Sequence, residues 1–160
     1  MALTALHPEL RAGGWSWPLP GDATCARRAR ALVVDTLATL AVPGETIADA
    51  QLMVSELATN AHQHADGHVP YELWLSVIDR RELYCAIFDT LRIRTLAGPM
   101  SVEKCDYGRG LGIVAELSRG HWGVAKAWSR RLPRVAGKAV WFGCPVVPSA
   151  GLGGVTRDAS

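Results

Sequence analysis

Glu45 to Ala65 reads ETIADAQLMVSELATNAHQHA, and the periodicity of this stretch decides the fold. Wound at ~100° per residue, it separates into two sides. Ile47, Ala50, Val54, Leu57, Ala58, Ala61 and Ala65 recur at helical spacing and form an apolar stripe suited to lying on a sheet. Asp49, Glu56, Asn60 and Gln63 fall nearly opposite, with Glu56 and Asn60 one turn apart and pointing the same way. Thr46 followed by Asp49 has the form of a capping box, with Asp in place of the usual Glu or Gln. Two readings of the polar side stand: a solvated helix face, or a carboxylate and a carboxamide placed together for chemistry.

On the N-terminal side, 1–14 show no clean period and end in Gly13-Gly14, which reads as a flexible leader. Trp15-Ser16-Trp17-Pro18-Leu19 alternates briefly, as an edge strand that tolerates a proline. Pro20-Gly21-Asp22 makes a turn with an N-cap at Asp22. A helix then runs from Ala23 to Leu40, with Ala26, Ala29, Val33, Leu37 and Leu40 on one side and Arg27, Arg28 and Arg30 elsewhere. Val42-Pro43-Gly44 separates it from the central helix.

On the C-terminal side, Tyr71, Leu73, Leu75 and Val77 alternate with Glu72, Trp74 and Ser76, giving a half-buried strand. Asp79-Arg80-Arg81-Glu82 is a hairpin turn, and Leu83 to Asp89 is a nearly all-apolar central strand closing on a carboxylate. Two antiparallel strands directly after two helices predict an α+β layered sandwich, not a βαβ fold. A third helix follows from Leu111, then a strand over 124–128 and a last strand over 138–142. The domain is expected to span 15–146, with 147–160 as a mobile tail.

At 160 residues, 49% hydrophobic and 20% charged, the chain has the size and balance of one soluble globular domain. A net charge of +2 is too small to point to nucleic acid or a membrane surface, and no apolar run is long enough to span a bilayer. The first residues carry an acid and no continuous apolar core, unlike a signal peptide. Cys25, Cys85, Cys105 and Cys144 form no Cys-x-x-Cys pair and fit reduced thiols of a cytoplasmic protein. His62 and His64 diverge by ~200° on a helix, so no zinc site is expected from them.

Thr90 to Tyr107 is the longest irregular stretch, a length that is usually functional. It leads into Gly108-Arg109-Gly110-Leu111-Gly112 at the start of a helix. Glycines there let main-chain N–H groups converge on phosphate oxygens, with the helix dipole favouring the negative charge. Arg109 is either a bidentate phosphate donor or a surface arginine. Asp89, a carboxylate ending a buried strand, has to find a donor there or caps the loop that follows it. With such a phosphate cradle downstream, the Asn60 oxygen is a candidate Mg²⁺ ligand and the Glu56 carboxylate a candidate proton acceptor.

Glu56-Leu57-Ala58-Thr59-Asn60-Ala61-His62-Gln63-His64-Ala65 resembles the N box of the GHKL (Bergerat) ATP-binding superfamily. The glycine motif at 108–112 resembles its second glycine box, and Gly137-Lys138-Ala139-Val140-Trp141 the Gly-Lys-Thr-Val-Trp strand of its short bacterial members. Among these, the anti-sigma-factor serine kinases are the nearest match in motif order. The resemblance implies a two-layer Bergerat sandwich, a mixed, mostly antiparallel sheet covered on one face by about three helices. It also implies ATP and Mg²⁺ as cofactors, Glu56 as the catalytic base and Asn60 as the metal ligand. Asp89 would accept the exocyclic amine of adenine, and Gly108, Arg109, Gly110, Leu111 and Gly112 would hold phosphates. His64 either stands near phosphate, as that box implies, or answers the dipole at the helix end. The implied partners are an anti-sigma-factor antagonist protein and a sigma factor, with homodimerisation and a partner surface on the first helix. Two departures bear on this reading. The family pattern Asp-x-Gly-x-Gly is Asp89-Thr90-Leu91-Arg92-Ile93 here, and the strand's Thr is Ala139, which removes a hydroxyl from the adenine network. A binding module that sequesters a partner without phosphorylating it is the alternative.

Overall fold

The computed structural model describes residues 6–8, 10, 13–65, 67–91 and 110–146. Strand β1 is Trp15–Leu19, and helices α1 (Cys25–Thr39) and α2 (Gly44–His64) follow it. Strands β2 (Tyr71–Ile78) and β3 (Glu82–Asp89) form a hairpin; then come α3 (Gly110–Leu117), β4 (Trp122–Trp128) and β5 (Ala136–Pro145). The five strands lie in the order β1-β2-β3-β5-β4. Every neighbouring pair is antiparallel, so the sheet is not mixed as the family resemblance implies. The architecture is α+β, a five-stranded antiparallel sheet with three helices. Pro18 sits in edge strand β1, where a missing N–H costs no ladder bond to a second neighbour.

Local chemistry sets the helix ends, and not always as the sequence suggests. Asp22 does not cap α1. Its Oδ1 accepts the Thr24 N–H at 2.8 Å, an Asx turn one step ahead of the helix. The C-terminus of α1 is a Schellman motif: the Val42 N–H reaches the Leu37 carbonyl and the Ala41 N–H the Ala38 carbonyl, both at 3.0 Å. Ala41 takes the left-handed conformation there, at φ 55°. Helix α2 begins one residue earlier than the expected Glu45, and its N-cap is Pro43 with no side-chain bond. Thr46 is therefore not the N-cap; it is buried in the first turn.

One core lies between the helices and the sheet. It joins Ala29, Val33 and Leu37 of α1 and Met53, Val54, Leu57 and Ala58 of α2. Leu111 and Val114 of α3 complete the helical side, and Leu73, Leu75, Leu83, Cys85, Ile87, Val140 and Phe142 the sheet side. Alternation sends the remaining strand residues to the opposite face. There Trp74, Tyr84, Ala86, Phe88, Ala125, Ala139 and Trp141 form a second cluster with Leu10. Leu10 is fully buried and His7 stacks on Tyr84 with ring centroids 4.1 Å apart. Those parts of the expected leader are thus docked on the sheet. Strand β2 is consequently buried on both faces, not half-buried: Trp74 and Glu72 are as inaccessible as Leu73. Cys25, Cys85 and Cys144 are buried free thiols; burial pushes Cys25 up to about 11 and Cys144 up to about 12, which makes them poor nucleophiles. Cys105 lies outside the described residues.

Candidate functional site

The polar column of α2 lies at the border of its buried arc, not opposite it. Glu56 and Asp49 are half-buried, Gln63 is exposed, and Asn60 is only 8% exposed. The reason is the width of the arc. Met53, an unlisted member of the apolar stripe, is fully buried and extends it towards Asn60, so the helix is covered well beyond the residues expected. The helix packs on α1 on one flank, on α3 on the other, and on β3 and β5 beneath. Among the described residues nothing accepts a hydrogen bond from the Asn60 Nδ2 amide. A buried amide donor with no acceptor costs about 1–3 kcal/mol. His64, in the last turn of α2, is exposed.

Asp89 closes β3 and is fully buried. It keeps the alternation of Leu83, Cys85 and Ile87, which belong to the helix-side core. Its Oδ1 accepts the Leu91 N–H at 2.9 Å, and its Oδ2 forms an ion pair with the ammonium of Lys138, the residue directly opposite in β5. Lys138 is 3% exposed. Burial pushes the Asp89 carboxyl above its ordinary range; the Lys138 ammonium and then the Leu91 amide draw it back. Gly137 makes the close pairing possible. A Cβ at this position would lie 2.0 Å from the Asp89 carbonyl oxygen, so no other residue fits. Leu91, where the resembling family has its first glycine, is half-buried and packs against the helix-side core.

Ala139 pairs with Phe88 and belongs to the opposite cluster with Trp74 and Trp141. Its side chain is on the far face from Asp89, so a hydroxyl at this position would not stand beside that carboxylate. Lys138, not Ala139, is the β5 residue beside Asp89. This contact was legible. Lys138 shares a strand face with Val140 and Phe142, and a lysine on an apolar, central face has to find a counter-charge.

The glycine turn meets α2 through α3. Gly110 opens α3, Leu111 is buried in the helix-side core, and Gly112 is exposed with open space where a Cβ would point. Gly108 and Arg109 lie outside the described residues, as does most of the loop that precedes them. Helix α2, which carries Asn60 and Glu56, thus packs against α3 and against β3, the strand that Asp89 closes. Among the described residues no group of three or more His, Cys, Asp or Glu could hold a metal ion. Mg²⁺ does not require one, since it is commonly bound through one protein oxygen or two together with phosphates and water. Nor, among the described residues, is any helix long and apolar enough to cross a membrane. No protein-family model matches the chain, and no curated protein matches it.

Proposed function

We propose that this chain is an ATP- and Mg²⁺-binding regulatory protein of the anti-sigma-factor serine kinase type. The observation that carries the reading is Asn60: a buried carboxamide with an unanswered donor, one turn from a half-buried carboxylate, beside the helix that a glycine motif opens. The residues fit the group they would hold. The Asn60 oxygen is the metal ligand and its free amide is available to a phosphate oxygen. Gly110, Leu111 and Gly112 offer main-chain donors at the start of α3, joined by Gly108 and Arg109. Bound ATP supplies the phosphoryl group. Glu56 accepts the proton of the attacking serine hydroxyl on an anti-sigma-factor antagonist. Alignment and charge neutralisation carry most of such a transfer, so a small site suffices. In this reading the protein is cytoplasmic, binds a sigma factor in the alternate state, and forms a homodimer as its resembled family does.

The test is thermal unfolding with and without Mg-ATP. At 100 times the dissociation constant the ligand adds about 2.7 kcal/mol, and Asn60→Ala abolishes the shift while leaving the unliganded fold intact. An unchanged shift in that variant removes the metal role from Asn60.

A second reading is favoured by the Asp89–Lys138 pair and by Leu91 lying against the core: a module that sequesters its partner without transferring phosphate. Incubation with γ-labelled ATP and a candidate antagonist separates the two, because only a kinase moves the label.

A further inference from the structure

The base-reading position of this site already has an occupant. Asp89 is 0% exposed and Lys138 3% exposed, so no water-sized probe touches the carboxylate. A carboxylate that reads a base has to present an oxygen to the ligand's N–H. Here Oδ1 faces the Leu91 amide and Oδ2 the Lys138 ammonium. The ammonium is a positively charged N–H donor on the oxygen that, in the nucleotide reading, would receive the exocyclic amine of a 6-aminopurine. The placement is built into the sheet. Lys138 is paired with Asp89 in register, Gly137 lets the backbones close up, and Lys126 faces Lys138 from β4. Lys126 is exposed, so of this cross-strand row only Lys138 can reach a buried counter-charge.

We propose that Lys138 is a built-in surrogate for the base amine, a plug that a nucleotide must displace from Asp89 and that sets base selectivity. The inference rests on the nucleotide-binding reading above and deepens it. Its consequence is specific: with Asp89 occupied from within, the chain gains little from the amine of adenine and holds nucleotide chiefly through metal and phosphate.

The experiment measures binding of Mg-ATP and of magnesium purine-riboside triphosphate, which lacks the 6-amino group, to the full chain by calorimetry. Wild type is expected to bind the two within about twofold. Lys138→Ala is expected to bind ATP at least about tenfold more tightly than wild type and to prefer it over the analogue by at least about tenfold, the worth of one hydrogen bond to a charged acceptor. Should the uncompensated carboxylate keep that variant from folding, Asp89→Asn with Lys138→Thr leaves two neutral groups at the position and carries the same expectation of tighter ATP binding. A wild-type chain that already prefers ATP by tenfold overturns the plug and leaves the nucleotide reading standing. Absence of any nucleotide binding in wild type and in the unplugged variants overturns both.

Discussion

Two carboxylates are buried at the same end of the sheet, on opposite faces, and they are answered in different ways. Asp89 meets one side-chain cation, the Lys138 ammonium, and one backbone amide. Glu72, whose register partner Phe88 precedes Asp89, is 1% exposed and is held by fixed, neutral donors. The Trp74 indole N–H donates to its Oε2 at 2.8 Å, the Arg130 backbone N–H donates to the same oxygen at 3.1 Å, and the Ser129 hydroxyl donates to Oε1. The Arg130 guanidinium lies over the Trp74 ring at 4.5 Å, and its Nη1 donates to the Gly13 carbonyl. The Glu72 network staples the 129–135 connection across the back of the sheet, and nothing in it has to move. The Asp89 pair depends on a cationic side chain, on the face that the helices cover. Burial alone therefore does not decide how a carboxylate is answered. What distinguishes Asp89 is a charged side-chain partner in place of neutral donors.

The largest expected effect follows from removing that partner. Lys138→Ala leaves a buried charge uncompensated and is expected to cost about 3–5 kcal/mol of stability at neutral pH, measured by denaturant unfolding. The sign of its pH dependence is fixed by Asp89. Burial already holds that carboxyl above its ordinary value, and the ammonium is the largest influence drawing it down. Without the ammonium the folded pKa climbs further above the unfolded one. The stability contributed by such a group is fully present below the unfolded pKa, about 4, and is lost as pH rises through the folded pKa. The deficit of the variant is thus small in acid and grows towards neutrality. A deficit independent of pH would mean that the lysine stem, not its charge, is what the core needs.

The same acid-to-amide change made at both positions sharpens the contrast. Asp89→Asn strands the Lys138 ammonium in a buried site and is expected to cost about 3 kcal/mol or more. Glu72→Gln keeps one oxygen acceptor for the Trp74 and Arg130 N–H donors, turns an amide N–H towards the Ser129 hydroxyl, which must rotate to accept it, and is expected to cost about 1 kcal/mol. Chemical denaturation of the two variants under one condition decides it. Equal costs would erase the distinction between an ion pair and a neutral staple.

Much of this arrangement was legible in the sequence, and the part that was not has a physical reason. Strict alternation over 71–77 and the apolar run ending at Asp89 gave the hairpin, and helical spacing gave both long helices close to their observed ends. Lys138 was readable from its position two residues before Val140. The burial of Glu72 was not, because its partners come from Ser129 and Arg130, more than fifty residues away, and no local pattern encodes such a cover. Asn60 was read as nearly opposite the apolar stripe. It is buried, and α2 is packed on by α1, α3 and the sheet, so a residue outside the stripe can still be enclosed. Periodicity describes one element; enclosure belongs to the assembly of several. The fold could therefore be read from local patterns, whereas the site depended on which face each neighbour covers.

The smallest expected effect tests whether Glu72 is secretly an ion pair. Arg130 is the nearest cation, and attraction between the two is felt: burial lowers the guanidinium's pKa and Glu72 raises it again. Yet the hydrogen bond Glu72 receives from this residue comes from its main chain, which any non-proline residue retains. Arg130→Met keeps a long apolar stem over Trp74. It loses the cation–π contact, worth about 0.5–1 kcal/mol where partly exposed, and the bond to Gly13. It also removes a buried guanidinium nitrogen, Nη2, that finds no hydrogen-bond partner among the described residues. These terms offset, so the net change is expected to stay within about 1 kcal/mol and to vary little with salt. A loss as large as that of Lys138→Ala would show that Glu72 too is held by a cation. A cationic partner would then cease to set Asp89 apart, and the case for Lys138 as a displaceable plug would rest on its binding measurements alone.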